Sequence, residues 1–308
     1  MRNEALVPVI LGHNAFFGVD HLSAERGSER AAHFADSTKI LDVIHLARTH
    51  GVGGMMMSTH ERAYDIADAI RADKTLREGL RIYPLLPYAQ KYVTRANEVG
   101  MVNVVLEMLS GTSLSGKLNL LWAGSKATLG KDLNAALSAL MRIELKAFKN
   151  LDVGAVFLHD LFTDLALAFE LPEIFEFYCK EVPKICGGVG AFASKNLPTF
   201  LHKFAEWGLE SPLVMAHFNK TGFQMNPGRA ECEQAASEHE ASILAMGPLA
   251  AGYLKPKDAF SYLATVKNIE GVVVGMSRPR HIEETMVAIR EHLFSQAPAP
   301  RVVQAEST

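Results

Sequence analysis

Four of the twelve histidines in this 308-residue chain stand where a run of apolar residues stops. Residues 7–12 (VPVILG) lead into His13, residues 54–57 (GMMM) into Ser58, Thr59, His60 and Glu61, residues 154–158 (GAVFL) into His159 and Asp160, and residues 213–216 (LVMA) into His217. Neutral imidazole is the commonest transition-metal ligand, and three protein ligands plus an open water position is the usual catalytic zinc arrangement. Mixed histidine and carboxylate ligation also suits Fe(II) and Mn(II). The first expectation is therefore a metal-dependent enzyme: His13, His60, His159 and His217 as ligands of a divalent Zn, Fe or Mn, with Glu61, Asp160 and His159 as catalytic acid–base groups on water or a substrate oxygen. Glu61 reads equally well as a carboxylate favoured by a helix N-terminus. Asp20 and His21 lie close to His13 in sequence and are further candidates. His33, His45, His50, His202, His239, His281 and His292 fall on predicted helices or their ends and read as surface residues.

These histidines can meet only if the fold gathers the ends of distant strands at one place. Apolar runs of this length, alternating with helical patterns, are the signature of a parallel sheet buried on both faces. The spacing predicts eight strands: residues 7–11, 53–57, 81–86, 154–158, 184–189, 212–216, 242–246 and 272–274. Helices are predicted over residues 37–48 (Ser37 as N-cap), 62–72, 90–109, 131–149, 172–180, 197–207, 229–240 and 258–266, with a last one capped by Ser277 and running to Leu293. The stretch after His13 is expected to be a long loop. At this length, and with no GxGxxG after the first strand, a closed (β/α)8 barrel is preferred to an open doubly wound sheet. Its active site belongs at the carboxyl ends of the strands. Residues 1–296 form one domain in this reading, with an insertion of about residues 90–130 between strands three and four. The Pro/Ala-rich residues 297–308 are expected to be disordered.

Composition narrows the functional classes. A formal net charge of −3 gives no basic footprint for nucleic acid. No run of about 18 apolar residues predicts a membrane span, and the N-terminus has no apolar signal-peptide core. Cys179, Cys186 and Cys232 have no CxxC spacing and read as reduced, mostly buried thiols of a cytoplasmic protein. The expected partner is a small-molecule substrate, and a homo-oligomer is left open.

Three stretches resemble the aldo-keto reductases, which are (β/α)8 barrels: LKAFKNLDVGAVFLHD, ILAMGPLAAGYL and VVVGMSRPRHIEETM. They look like that family's fourth strand with its active-site histidine, its seventh strand and following loop, and its eighth strand with the loop that holds the NADPH 2′-phosphate. The resemblance implies that His159 is the active-site histidine and that Gly275, Ser277 and Arg278 sit near a phosphate. A physical reason points the same way, because a helix N-terminus after Ser277 is an anion site and Arg278 and Arg280 add charge. Other family features are missing. Ser58 stands near the family's Asp, Tyr64 is out of register for its Tyr acid, and RIYPLLPY ends without its Lys. Its nicotinamide-binding Ser-Asn pair reads Gly190-Ala191, its strand-six Gln falls at about Met215, and its stacking aromatic falls at about Met246. The alternative reading is therefore an NADPH-dependent oxidoreductase acting on a carbonyl, with His159, alone or with Tyr64, as acid. Asn14 and Asn219 flank His13 and His217 and are candidates to orient a substrate or cofactor.

Overall fold

The computed structural model describes residues 3–18, 23–60, 62–87, 134 and 137–294. The insertion near residues 90–130, the tail beyond residue 296, Asp20, His21 and Glu61 lie outside these. Strands β1 (Val9–Leu11), β2 (Gly54–Ser58), β3 (Arg81–Leu86), β4 (Ala155–Leu158), β5 (Val189–Ala193), β6 (Leu213–His217), β7 (Ser242–Met246) and β8 (Ile269–Val274) pair in sequence order. The sheet closes through β1 on β8, and every pairing is parallel. The expected (β/α)8 barrel is present. No helix among the described residues is long and apolar enough to cross a membrane.

The strands read as unbroken apolar runs because both faces are buried. Ile10, Met56, Tyr83, Phe157, Ala191, Met215 and Leu244 fill the barrel interior. Their neighbours Leu11, Met55, Ile82, Val156, Phe192, Val214 and Ile243 face the helices. The side-chain period of two carries the inner series of β2, β4, β5 and β6 upward to Ser58, His159, Lys195 and His217. The opposite end is stoppered by the chain before β1. There the Tyr83 hydroxyl donates to the Ala5 carbonyl and accepts from the Val7 amide, each at 2.9 Å. Burial pushes that phenol up to about 12.

The fifth strand is not where the sequence pattern put it. The preceding helix runs over Pro172–Cys186, through Pro183, and ends on Gly187 at φ 76°. Its buried face (Ile174, Phe175, Tyr178, Glu181, Val182) keeps the helical period past residue 180. Residues 184–186 therefore belong to the helix, and the strand starts at Val189. Phe192 then points outward onto Phe175, 5.2 Å between ring centroids. A side chain at Gly190 would lie 2.8 Å from the Cys179 Cα, so glycine lets helix and strand approach. Gly190-Ala191 thus lie inside β5, and the residues that follow the strand are Ser194, Lys195 and Asn196.

Smaller corrections concern one polar helix, several helix caps and one thiol. The loop after β1 contains a polar helix, Ala24–His33. Asp36, not Ser37, caps the next helix by accepting from the Thr38 amide. An unforeseen helix, Asp160–Ala168, follows β4 with His159 as its N-cap. The last helix, Pro279–His292, has Arg278 at its N-cap, not Ser277. Pro279 at the first helical position forces the residue before it into extended backbone. Among the thiols, Cys232 is buried, Cys186 intermediate, and Cys179 exposed rather than buried.

Candidate active site

His159 continues the barrel ladder and opens a helix at once. Its amide donates to the Leu86 carbonyl at 2.8 Å, and its own carbonyl accepts from Phe162 and Thr163 at 2.9 and 3.0 Å. The backbone is therefore fixed on both sides of the ring. Nδ1 lies 2.5 Å from Asp160 Oδ1 and 3.2 Å from the Leu161 amide. Lys195 Nζ stands 3.5 Å from the other Asp160 oxygen. Burial pushes the Asp160 carboxyl up, but the His159 hydrogen bond and charge, then Lys195 and the Leu161 amide, outweigh it and hold it below the usual carboxylate range.

Lys195 is brought there by the next turn of the same helix. Asp164 accepts from the Ser194 hydroxyl at 2.7 Å and from the Lys195 amide at 3.1 Å, which ties the end of β5 to the helix after β4. Burial pushes the Asp164 carboxyl up, against the Ser194 and Lys195 hydrogen bonds and with help from the Asp160 charge. Asn196 caps the Leu197–Glu206 helix by accepting from the Thr199 amide. Sequence reading missed Lys195 because the misplaced strand hid the turn that carries it. The Asp160/Asp164 spacing of one helical turn was the available signal.

His13 and His60 share this mouth. Phe17 lies between their rings, with centroids 5.2 Å from His13 and 4.9 Å from His60, stacked on the latter. Burial depresses His13 to about 4, against a Met56 backbone hydrogen bond and with added repulsion from His159 and His60. The ring is therefore neutral at pH 7. His13 Nδ1 and Ser58 Oγ are both buried without a hydrogen-bond partner among the described residues. His60 Nδ1 accepts from the Arg62 amide at 3.1 Å. The Arg62 guanidinium donates to the carbonyls of Phe16, Phe34 and Ala35, pinning the chain after β1 over the mouth.

The four-histidine metal centre is not formed. Among the described residues no three His, Cys, Asp or Glu side chains are grouped to hold a metal ion. His60 Nδ1 accepts from the Arg62 amide, and the Phe17 ring packs against both His13 and His60. His217 ends β6 beside Gly247, whose positive φ of 64° lets the backbone approach it; a Cβ there would lie 2.7 Å from His217 Nδ1. Asn14 is partly buried on the loop after β1. Asn219 is fully buried. Its amide donates to the Phe223 carbonyl and accepts from the Thr221 hydroxyl and the Phe223 amide, each at 2.8 Å, so it staples its own loop. Tyr64 is half exposed on the first turn of the Ala63–Ala72 helix.

At the end of β8, a side chain at Gly275 would meet nothing within 4 Å. Arg278 is exposed and makes no capping hydrogen bond. The first helical bond runs from the Ile282 amide to the Arg278 carbonyl at 3.0 Å, which leaves the Arg280 and His281 amides facing the helix N-terminus. The Arg280 side chain is 85% exposed and bonded to Glu284 at 2.7 Å, so its charge is already partnered.

No protein-family model matches this sequence, and no curated protein is significantly similar to it. Solved structures do match. A provisionally assigned aldo-keto reductase from Pseudomonas aeruginosa superposes with a TM-score of 0.57 at 13% identity, over 95% of this chain and 94% of its own. A protein provisionally assigned as a 2,5-diketo-D-gluconic acid reductase B gives 0.56 at 11% identity, over 99% and 95%. The aldo-keto reductase AKR11C1 from Bacillus halodurans, in its holo form, gives 0.53 at 12% identity, over 87% and 90%. At these identities the likeness is one of fold, and the barrel of this chain is aldo-keto-reductase-like.

Proposed function

We propose that this chain is an NADPH-dependent oxidoreductase that acts on a small polar carbonyl compound, with His159 as the group that gives and takes the proton. The observation that carries the reading is the pairing of two features at one end of one barrel. An imidazole locked to a carboxylate ends β4, and a turn suited to phosphate ends β8. The likeness of the barrel to solved aldo-keto reductases supports it.

The residues present fit the cofactor at its phosphate end. Open space at Gly275, free helix-start amides and the exposed Arg278 guanidinium offer backbone donors and a fixed positive charge. NADPH, when bound, supplies the hydride. The chain's own residues supply the rest. His159 exchanges a proton with the substrate oxygen, and Asp160 stabilises the imidazolium. Neutral His13 and the Ser58 hydroxyl present buried, unmet polar atoms at the same mouth, which suit a substrate carrying more than one oxygen. Among the described residues, Ser58 stands near the position of the family's carboxylate and Tyr64 sits on an outer helix, which leaves His159 as the acid.

Calorimetric titration with NADPH and NADH tests the reading. Binding of NADPH is expected, weakened about tenfold by Arg278→Ala, with NADH little affected because it lacks the 2′-phosphate. The absence of any NADPH binding at submillimolar concentration would remove the proposal.

A further inference from the structure

We propose that Asp160, steadied by Lys195, holds His159 in the tautomer that carries its hydrogen on Nδ1, so that a bare Nε2 faces the barrel mouth. The chemical use of that nitrogen rests on the oxidoreductase reading, but the tautomer rests on geometry alone. Two groups compete for Nδ1. The Leu161 amide at 3.2 Å requires Nδ1 to accept, whereas the Asp160 carboxylate at 2.5 Å requires it to donate. One nitrogen of a neutral ring cannot do both. Two oxygen and nitrogen lone pairs at 2.5 Å would repel, so a proton must lie between them, and a charge-assisted bond of that length outweighs a long neutral one. The Leu161 amide has a second acceptor in the Asp160 carboxylate itself, so releasing Nδ1 leaves it satisfied.

Lys195 makes the arrangement one-sided. Its ammonium faces the far carboxylate oxygen and favours a charged Asp160 over a protonated one. Were Asp160 protonated, it could donate to Nδ1 and the ring would carry its hydrogen on Nε2 instead. The Asp164 tether that places Lys195 thus indirectly selects the tautomer. Lys195 is a positioning residue, because its ammonium acts on the ring through Asp160.

The consequence is a direction. With that tautomer, Nε2 is the nitrogen set to receive a proton. Toward an alcohol, Nε2 would take the hydroxyl proton as the carbon–hydrogen electron pair leaves as hydride, for which a bound NADP+ would be the acceptor. In the carbonyl direction, the protonated ring returns that same proton to the forming alkoxide. Asp160 faces the imidazolium in both, as a carboxylate orients and stabilises a catalytic histidine elsewhere.

The test is nitrogen-15 NMR of histidine-labelled protein, with the His159 signals assigned by their loss in His159→Gln. At a pH where the ring is neutral, the wild type is expected to show a protonated Nδ1 and an unprotonated Nε2. Asp160→Asn should move the hydrogen to Nε2, since an amide can donate to Nδ1. Lys195→Met should give a mixture, and Lys195→Arg should restore the wild-type pattern. An Nε2-protonated ring in the wild type overturns the proposal, and so does a Lys195→Met spectrum identical to the wild type. Cofactor titration separates the two readings. Absent NADPH binding with Nδ1 protonated refutes the oxidoreductase assignment and leaves the tautomer standing.

Discussion

Lowering the pH from 7 to 4 should destabilise the fold through His13 in particular. Burial holds this imidazole at about 4, below the ordinary 6.5, and His159 and His60 add repulsion. As the pH falls below 6.5 the unfolded chain takes up a proton at this residue and the folded chain does not. Stability therefore drops through the window from 6.5 to about 4 and levels off below it. At roughly 1.4 kcal/mol per pH unit the full effect is about 3 kcal/mol. The residue as a whole is only partly buried, so about 2 kcal/mol is the working figure. The assay compares urea-unfolding midpoints of the wild type and His13→Gln at pH 7, 6, 5 and 4. Other groups titrate in both proteins, so the difference isolates this one. The wild type should lose about 2 kcal/mol more than the variant by pH 4. Parallel curves would mean that His13 protonates freely in the folded state, and the buried-imidazole argument would be wrong.

Three further outcomes follow from contacts around the mouth. Arg62→Ala removes the charged donor to the Phe16, Phe34 and Ala35 carbonyls and should cost about 2 kcal/mol, read by chemical denaturation; a change within error would mean those carbonyls are held by other donors. Gly247→Ala forces a side chain onto a backbone with φ 64° and against His217, and should cost at least about 1–2 kcal/mol; a neutral result would show that this turn can relax. Asn219→Ala unstaples the loop through Phe223, which should become the first site of limited proteolysis, whereas an unchanged cleavage pattern would show that the loop stands without it.

Seven of the barrel strands were legible because a strand buried on both faces leaves a continuous apolar run. The fifth was displaced because ICGGVG is as apolar as a strand, while the helical period that claims its first residues crosses a proline. The Ala24–His33 helix was missed because its residues, AERGSERAAH, are mostly polar and include Gly and Ser, which read as loop. The histidines illustrate the same limit at the site. That the four histidines would meet was argued from strand ends; Phe17 packs against both His13 and His60, but among the described residues no three such side chains are grouped to hold a metal ion. That the rings' nitrogens would be committed to the Arg62 amide, the Leu161 amide and Asp160 could not be read, because each depends on local backbone geometry one or two residues beyond the strand. Lys195 is a tertiary partner of Asp160 that comes into place only when β5 is set correctly, so the one-turn Asp160/Asp164 spacing did not name it by itself.

The most direct test of the account is hydride transfer itself. Purified protein is incubated with NADPH deuterated at the nicotinamide C4 and a panel of small hydroxy-aldehydes and hydroxy-ketones, and the products are read by mass spectrometry. The account predicts an alcohol carrying one deuterium, formed by the wild type and lost at least about a hundredfold in His159→Gln, as expected for removal of the general acid. Deuterated alcohol formed equally well without His159 would contradict the assigned chemistry, and no consumption of bound cofactor across the panel would contradict the oxidoreductase reading.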